Sequence, residues 1–359
     1  MIVGDIGGTN CRLELLEINS DQSHKTLFQA RYKSQEQPSF PAAILQFLSE
    51  SPVKDATLIK CAVIGIAGPV FGGQLQFQLN IKHWCPIKEK DVERDTGIKR
   101  VSLLNDFVAN GYGVLDLKEE KELQSLYEPA DKLFHDDEVK VVMGIGTGLG
   151  SCLLSRAPST HQSTPGKYHV NSMEAGMIML PTYDEIDRQF QDYLSKDLGI
   201  KDRDDAQLLL SGSGLMYLFN FHATKIHPGV SKLDPATVSP QEMQDQAKLE
   251  LTQPGTGDKV ALSCLQHFMR YFSRFLSNVA CSYMPFGGIY LMSTVVYATE
   301  FMIEEGSEGR NAFNKEFVES RGAGMAKYLG QMPLKIVKAE GELAMRGCIR
   351  YAIQNNLIL

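Results

Sequence analysis

Residues 5–10, Asp5-Ile6-Gly7-Gly8-Thr9-Asn10, set two glycines and a hydroxyl between apolar runs, Met1-Ile2-Val3 before them and Cys11 to Ile18 after. A hairpin tip without Cβ atoms lets backbone N–H groups approach a phosphate closely. A second turn of the same kind, Gly144-Ile145-Gly146-Thr147-Gly148-Leu149-Gly150, follows the apolar residues Val141, Val142 and Met143. Between the two turns lies Leu104-Asn105-Asp106-Phe107, where an acidic residue closes an apolar strand and opens a polar helix. One glycine turn alone more often closes an ordinary hairpin, but two of them around a carboxylate point to a pair of phosphate cradles. A dinucleotide fingerprint is disfavoured, because Gly4-x-x-Gly7-Gly8 has the wrong spacing. A Walker loop is absent too, since Gly166-Lys167 is followed by Tyr168.

The rest of the chain bounds the reading. With 359 residues and 43% hydrophobic content, two domains of ordinary size are expected. A formal charge of -7 without a basic stripe argues against a nucleic-acid partner. Seven cysteines (Cys11, Cys61, Cys85, Cys152, Cys264, Cys281 and Cys348) form no C-x-x-C pair, which reads as free thiols in a reducing compartment. The N-terminus leads at once into the first turn with no signal-like or membrane-spanning stretch. A cytoplasmic protein without membrane association is the expectation.

Strands are expected over residues 11–18, 26–32, 56–66 and 101–104, with a helix after Ser39 that carries Pro41 in its first turn and Ala43, Ile44, Phe47 and Leu48 on one face. Residues 116–140 read as charged and irregular, and residues 156–171 as an exposed loop or hairpin tip. Further on, Ser239-Pro240-x-Glu242 predicts a capping box. Leu262, Leu265, Phe268, Met269, Phe272, Phe275, Leu276, Val279 and Tyr283 predict a long, largely buried helix whose aromatic stripe is core rather than a cofactor box. Gly347 lies inside a last helix over 340–354, where it serves close packing or close approach of a ligand.

Phosphoryl transfer from ATP needs donors around the phosphates, a metal ion and a carboxylate that takes the proton of the attacking hydroxyl. Gly7, Gly8, Thr9 and Asn10 supply donors, as do Thr147 and Gly148, and Asp5 is placed to hold Mg²⁺ directly or through water. Ser211-Gly212-Ser213-Gly214 before an apolar helix adds a further nucleotide-side anion site. Asp106 is the candidate general base, and helix capping by Asn105 or Asp106 is the plainer alternative. His169 reads as a surface-loop residue, and none of the eight histidines has metal-ligand spacing.

In this order, DIGGTN, Gly65-Ile66-Ala67-Gly68-Pro69-Val70, LLNDF, GTGLG and Leu210-Ser211-Gly212-Ser213-Gly214-Leu215 resemble the bacterial-type glucokinases, which also occur in some protists. The resemblance spans most of the chain. It implies the two-domain actin-like ATPase (ribonuclease H-like) fold shared with hexokinases, an α/β architecture with a nucleotide and sugar cleft between a small and a larger domain. The small domain is expected over 1–110 plus 340–359 and the large one over 111–339. The implied reaction is phosphorylation of D-glucose at its 6-hydroxyl by ATP with Mg²⁺, and the implied assembly is a homodimer. By the same resemblance Asn105 and Asp106 bind sugar hydroxyls, Glu174 and Gln207 complete the sugar site, and Asn80 near Trp84 supports the sugar loop.

Three departures stand out. The family's E-x-G-H is Glu174-Ala175-Gly176-Met177 here, and a methionine makes no strong hydrogen bond. Gln207 stands where the family has Glu; a plain helix-start role, with the ligand taken from Asp204 or Asp205, is the alternative. After residues 289–292 the chain reads Ser293-Thr294 instead of the family's glycine-rich turn, so nucleotide preference stays open. A kinase of another hexose and a non-catalytic sugar and ATP sensor of the same fold remain alternatives at this point. The repressor-like sugar kinases with a cysteine-rich zinc motif are excluded by the cysteine spacing.

Overall fold

A strand buried on both faces needs no polar alternation, and Ile2-Val3-Gly4 is such a strand at the very start of the chain. In the computed structural model, β1 (Ile2–Ile6), β2 (Asn10–Ile18) and β3 (His24–Lys33) form an antiparallel meander. The structure describes residues 1–129, 133–134, 138–146, 148–156, 167–201, 205–292, 299–304, 306–338 and 343–358. The next strand, β4 (Ala62–Ile66), lies parallel to β1. A small sheet of β5 (Val70–Phe71), β6 (Gln74–Leu75) and β7 (Ile87–Lys88) follows, and then β8 (Val101–Asn105) lies parallel to β4. Across the larger sheet the order is β3-β2-β1-β4-β8.

Period-two alternation divides its side chains between two cores. Ile2, Ile6, Leu13, Ile64 and Ile66 pack with Phe40, Ile44 and Phe47 of the helix Phe40–Glu50, whose N-cap Ser39 Oγ accepts from Ala42 N at 3.2 Å. On the other face Val3, Val63 and Leu104 meet Ala109 of the helix Asp106–Val114 and Ala344 and Cys348 of the C-terminal helix Leu343–Gln354. The predicted strand over 56–66 begins only at Ala62. Asp55 accepts from Thr57 N at 2.9 Å and turns Ala56–Leu58 into a single 3-10 turn, leaving Leu58 exposed.

Two compact units share the chain: one comprises Met1–Leu123, Cys152–Ser172 and Ala339–Leu359, the other Gln124–Ser151 and Met173–Lys338. Residues 111–123 and the described residues of Cys152–Ser172 thus belong to the first unit, whereas the sequence places a division at 110/111. In the second unit, β9 (Leu123–Tyr127) arises within the stretch read as irregular. β10 (Lys140–Ile145) turns into β11 (Leu149–Arg156), and β12 (Tyr168–Met173) follows the segment 157–166, which lies outside the described residues. β13 (Ile289–Met292) runs parallel to β10 on one side and to β14 (Leu334–Val337) on the other. The long helix forms over Lys259–Tyr283 with Phe268, Phe272 and Phe275 buried, and Ser239 Oγ caps the helix Pro240–Thr252 by accepting from Glu242 N at 3.1 Å.

Beneath the long helix lies a buried polar chain. His222 Nε2 and His267 Nδ1 are 3.0 Å apart, and His267 Nε2 is 2.9 Å from Asp187 Oδ1. Arg270 and Arg274 also donate to Asp187, and Ser263 Oγ sits 3.3 Å from His222 Nδ1. Burial would raise the Asp187 carboxyl, but the bonds from His267 and Tyr183 N hold it below the usual range. Desolvation pushes His222 down to about 3, with the neighbouring His267, His227 and Arg270 acting in the same direction. The native ring is therefore neutral, while an unfolded one titrates near pH ~6.5. Between those values the unfolded chain binds the extra proton, so this stability is complete near neutrality and is lost on acidification. Urea unfolding at pH 7 and pH 5 should show the wild type losing about 2 kcal/mol more than His222→Gln over that interval; equal losses would sink the assignment.

The C-terminal helix explains Gly347. A Cβ there would fall on the Ala109 carbonyl and lie 2.8 Å from Gly113 N, and Gly113 in turn admits Leu343. Alanine gains about 1 kcal/mol in helix propensity, but overpacking against backbone, which cannot rotate away, costs about 1–3 kcal/mol. The second effect wins: Gly347→Ala should lower the urea midpoint by the equivalent of about 1 kcal/mol or more, and a stabilised variant would contradict the packing.

Candidate active site

Strand register assembles the candidate site residues of the first unit. Ile6 pairs with Ile66 and Ile66 with Asn105, so Gly7, Ala67-Gly68 and Asp106 all leave the parallel strands along one edge. At ~4.8 Å per strand the outer two exits are about 10 Å apart. The carboxyl ends of parallel strands are where α/β sheets hold ligands.

Asn105 makes this edge rigid. Its Oδ1 accepts from Phe107 N at 2.9 Å and Val108 N at 3.2 Å, capping the helix Asp106–Val114. Its Nδ2 donates to Gly68 O and to Asp106 Oδ1, each at 3.0 Å. All four hydrogen-bonding positions of the amide are filled, so a sugar hydroxyl would have to exchange with one of them. Asp106 is half-buried, and its Oδ1 also accepts from Phe107 N at 3.0 Å. Capping by Asn105 and presentation of Asp106 are thus one arrangement rather than alternatives.

The first glycine tip closes with Gly7 N donating to Asn10 O at 2.9 Å. Ser34 clamps it from the side: its Oγ donates to Gly7 O at 2.9 Å and its N to Thr9 O at 3.0 Å. Among the described residues neither Gly8 N nor Thr9 N has a backbone acceptor, which leaves both groups for a ligand. Asn10 belongs to the strand, with Oδ1 accepting from Arg31 Nε at 3.1 Å. Gly8 is required by space rather than by φ, because a Cβ would lie 2.8 Å from Asn80 Nδ2 and closer still to Asn80 Cβ. Asn80 therefore fills the space beside the first glycine turn.

Asp5 sits on β1 one residue before Ile6, paired across the ladder with Arg12. Burial raises its carboxyl above the ordinary range and the Arg12 charge opposes that. A half-buried carboxylate at the root of a glycine turn is of the kind that suits Mg²⁺, which takes one or two carboxylates together with phosphate oxygens and water. Among the described residues no group of three or more His, Cys, Asp or Glu forms an all-protein metal cage.

The second unit brings four separate stretches of its own together. Gly146 N donates to Gly148 O at 2.9 Å, closing a link too short for a crossover and making β10 and β11 a hairpin. Gly212 N donates to Gly146 O at 3.1 Å, and Leu149 N donates to Gln207 Oε1 at 3.3 Å. Gly176 packs against Leu149 O and Gln207 Cβ. Gln207 is the second residue of the helix Ala206–Leu210, capped by Asp205, so it has the helix-start position and also braces the glycine turn. Ser211 Oγ caps the helix Gly212–Phe221 by accepting from Gly214 N at 3.1 Å. Glu174 is exposed and, among the described residues, its carboxylate has no hydrogen-bond partner; Met177 is 48% exposed nearby in sequence. Thr147 and Asp204 lie outside the described residues, as do Ser293 and Thr294. Ser34 carries no sequence signal, since it acts through a contact between distant segments.

Solved sugar kinases share this architecture. The glucokinase from Leishmania braziliensis superposes with a TM-score of 0.77 at 18% identity over 98% of this chain and 92% of its own. A ROK family glucokinase from Streptomyces griseus, solved with glucose and AMPPNP, superposes at 0.56 with 16% identity over 99% of each chain. The fold is the actin-like ATPase fold, in the form used by sugar kinases. A glucokinase from Nostoc punctiforme is 26% identical over 303 residues, spanning 81% of this chain and 83% of the relative. The family model described as Glucokinase matches residues 2–355, and the chain belongs to the glucokinase family.

The Gly8 contact is directly testable. Gly8→Ala should displace Asn80 and raise the KM for nucleotide by about tenfold, roughly 1.4 kcal/mol, with the sugar KM little changed. An unaltered nucleotide KM would show that Asn80 does not shape the turn.

Proposed function

We propose that the protein phosphorylates D-glucose at its 6-hydroxyl with ATP, and that the observation carrying this is the Asn105-held carboxylate of Asp106 on the same strand edge as the Gly7-Gly8 turn. Asp106 accepts the proton of the attacking hydroxyl, and Asn105 keeps that carboxylate pointed by donating to its Oδ1. The N–H groups of Gly8 and Thr9 take phosphate oxygens, and Gly148 does the same from the second turn, with Ser211 and Gly212 on the nucleotide side. Asp5 would hold Mg²⁺, directly or through water, and the ion would neutralise charge on the phosphates. Glu174 and Gln207 bind the sugar. Gln207 does so with an amide whose oxygen already accepts from Leu149 N, which leaves its Nε2 as the donor toward a hydroxyl.

Met177 offers no strong hydrogen bond where the family has a histidine, and this specific feature favours a second reading in which another hexose is the better substrate. ADP release measured over a panel of glucose, mannose, glucosamine and N-acetylated hexoses separates the two. With the best hexose, Asp106→Asn should lower kcat by about 10³-fold while leaving sugar binding near wild type, because the amide keeps the oxygen that Asn105 and Phe107 N address. A variant turning over at nearly the native rate would remove Asp106 from the chemistry.

A further inference from the structure

Three carboxamides lie around the first glycine turn and the strand edge that carries it, and two of them are committed. Asn10 Oδ1 accepts from Arg31 Nε, and every position of the Asn105 amide is filled. The third, Asn80, belongs to the 3-10 turn Leu79–Ile81 and is exposed. Its hydrogen bonds run through the backbone: Asn80 N donates to Gln78 Oε1 at 2.5 Å, and Asn80 O accepts from Gln35 Nε2. Among the described residues its side-chain amide has no partner. A Cβ on Gly8 would lie 2.8 Å from Asn80 Nδ2. Adding a bond of about 1.5 Å puts that nitrogen within about 4.3 Å of Gly8 Cα.

The backbone under this amide is pinned by the same short segment that holds the glycine turn. Ser34–Glu36 forms a 3-10 turn at the end of β3. Ser34 bonds Gly7 O and Thr9 O, and the next residue, Gln35, bonds Asn80 O. Two residues further on, Gln37 O accepts from Trp84 Nε1 at 2.9 Å, and both Trp84 and Ile81 are buried. Residues 34–37 thus fix the glycine turn and the loop 78–84 against each other. A side chain on an anchored backbone has little freedom left to lose when it takes a ligand. Packing beside Gly8 needs only the Asn80 Cβ, which is the nearest atom, so the amide beyond it is unexplained by packing. Next to it, Gly8 N and Thr9 N have no backbone acceptor among the described residues, and adjacent N–H donors of this kind suit an oxyanion.

We propose that Asn80 Nδ2 is a third donor to the nucleotide's phosphate chain, beside Gly8 N and Thr9 N, and that Gln35 is the positioning residue that holds it there. This rests on the ATP-dependent reaction proposed above and adds a residue to it. The role differs from support of a sugar loop, because the ligand of the amide is an oxyanion. An aspartate of the same shape at this position would set a negative charge against phosphate oxygens. Gln35 acts only through the Asn80 carbonyl.

The test is calorimetric titration of the full chain with Mg²⁺ and a non-hydrolysable ATP analogue, with tripolyphosphate and adenosine in separate arms. Asn80→Ala should weaken the analogue and tripolyphosphate by about tenfold, the equivalent of one hydrogen bond to a charged group. Asn80→Asp should weaken both by about a hundredfold, since repulsion adds to the lost donor. Adenosine binding and the melting temperature should stay at wild-type values in both variants, whereas a merely structural role would move them. Gln35→Ala should weaken the analogue severalfold in the wild-type background and have no effect in the Asn80→Ala background. Wild-type affinity in Asn80→Ala, or an Asp variant no weaker than the Ala variant, would overturn the proposal. Equal Gln35 effects in the two backgrounds would overturn the positioning role. If tripolyphosphate binds with this dependence on Asn80 but the analogue does not bind, the donor set stands and the ATP reading fails. If the wild type binds neither, both fall.

Discussion

The alignment of three parallel strand ends is the constraint from which the candidate site follows. Because Ile6, Ile66 and Asn105 lie in one row, the first glycine tip, the Gly68 carbonyl and Asp106 are delivered to a common edge by backbone pairing alone. A slip of one residue between β4 and β8 would turn Asp106 to the opposite face and withdraw Gly68 O from Asn105. Two cores resist that slip, since the side chains of β1 and β4 are committed to opposite faces of the sheet. Asn105 then converts register into chemistry. One amide caps the helix, anchors the loop at Gly68 and aims the Asp106 carboxylate, so that carboxylate is oriented by bonds that also hold the fold.

The candidate residues of the second unit are organised differently, around backbone groups that an added side chain would disturb. Gly146 takes a bond from Gly212, Leu149 gives one to Gln207, and Gly176 lets the turn after Glu174 lie against Leu149. Gln207 therefore does two things at once, and the family's glutamate at this position would bring a charge to a place where this chain has an amide accepting from a main-chain N–H. The substitution alters the bracing of the second glycine turn.

Much of this was legible in the chain. Both glycine tips, Asp106, the capped helices after Ser39 and Ser239 and the long buried helix all rest on local rules of turn chemistry, capping and periodicity, and those rules act over a few residues. The failures have equally local causes. Asp55 captured Thr57 N and shortened a predicted strand, and Leu123–Tyr127 reads as irregular because it is surrounded by charge while its partners come from far along the chain. Gly347 was open between packing and ligand approach until the Ala109 carbonyl was seen against it.

What the amino-acid order determined by itself was the set of chemical parts: turns without Cβ atoms, a carboxylate at a strand end, cysteines kept apart, and a succession of motifs sufficient to place the chain among the glucokinases. Which groups serve one another was decided only on folding. Ser34 closing on Gly7, Asn80 filling the space beside Gly8, Asn105 spending its amide on Gly68 and Asp106, and Gln35 holding the Asn80 carbonyl all join segments distant in sequence. No local propensity encodes such contacts, because they exist only once strand register and helix packing bring the partners within hydrogen-bonding reach.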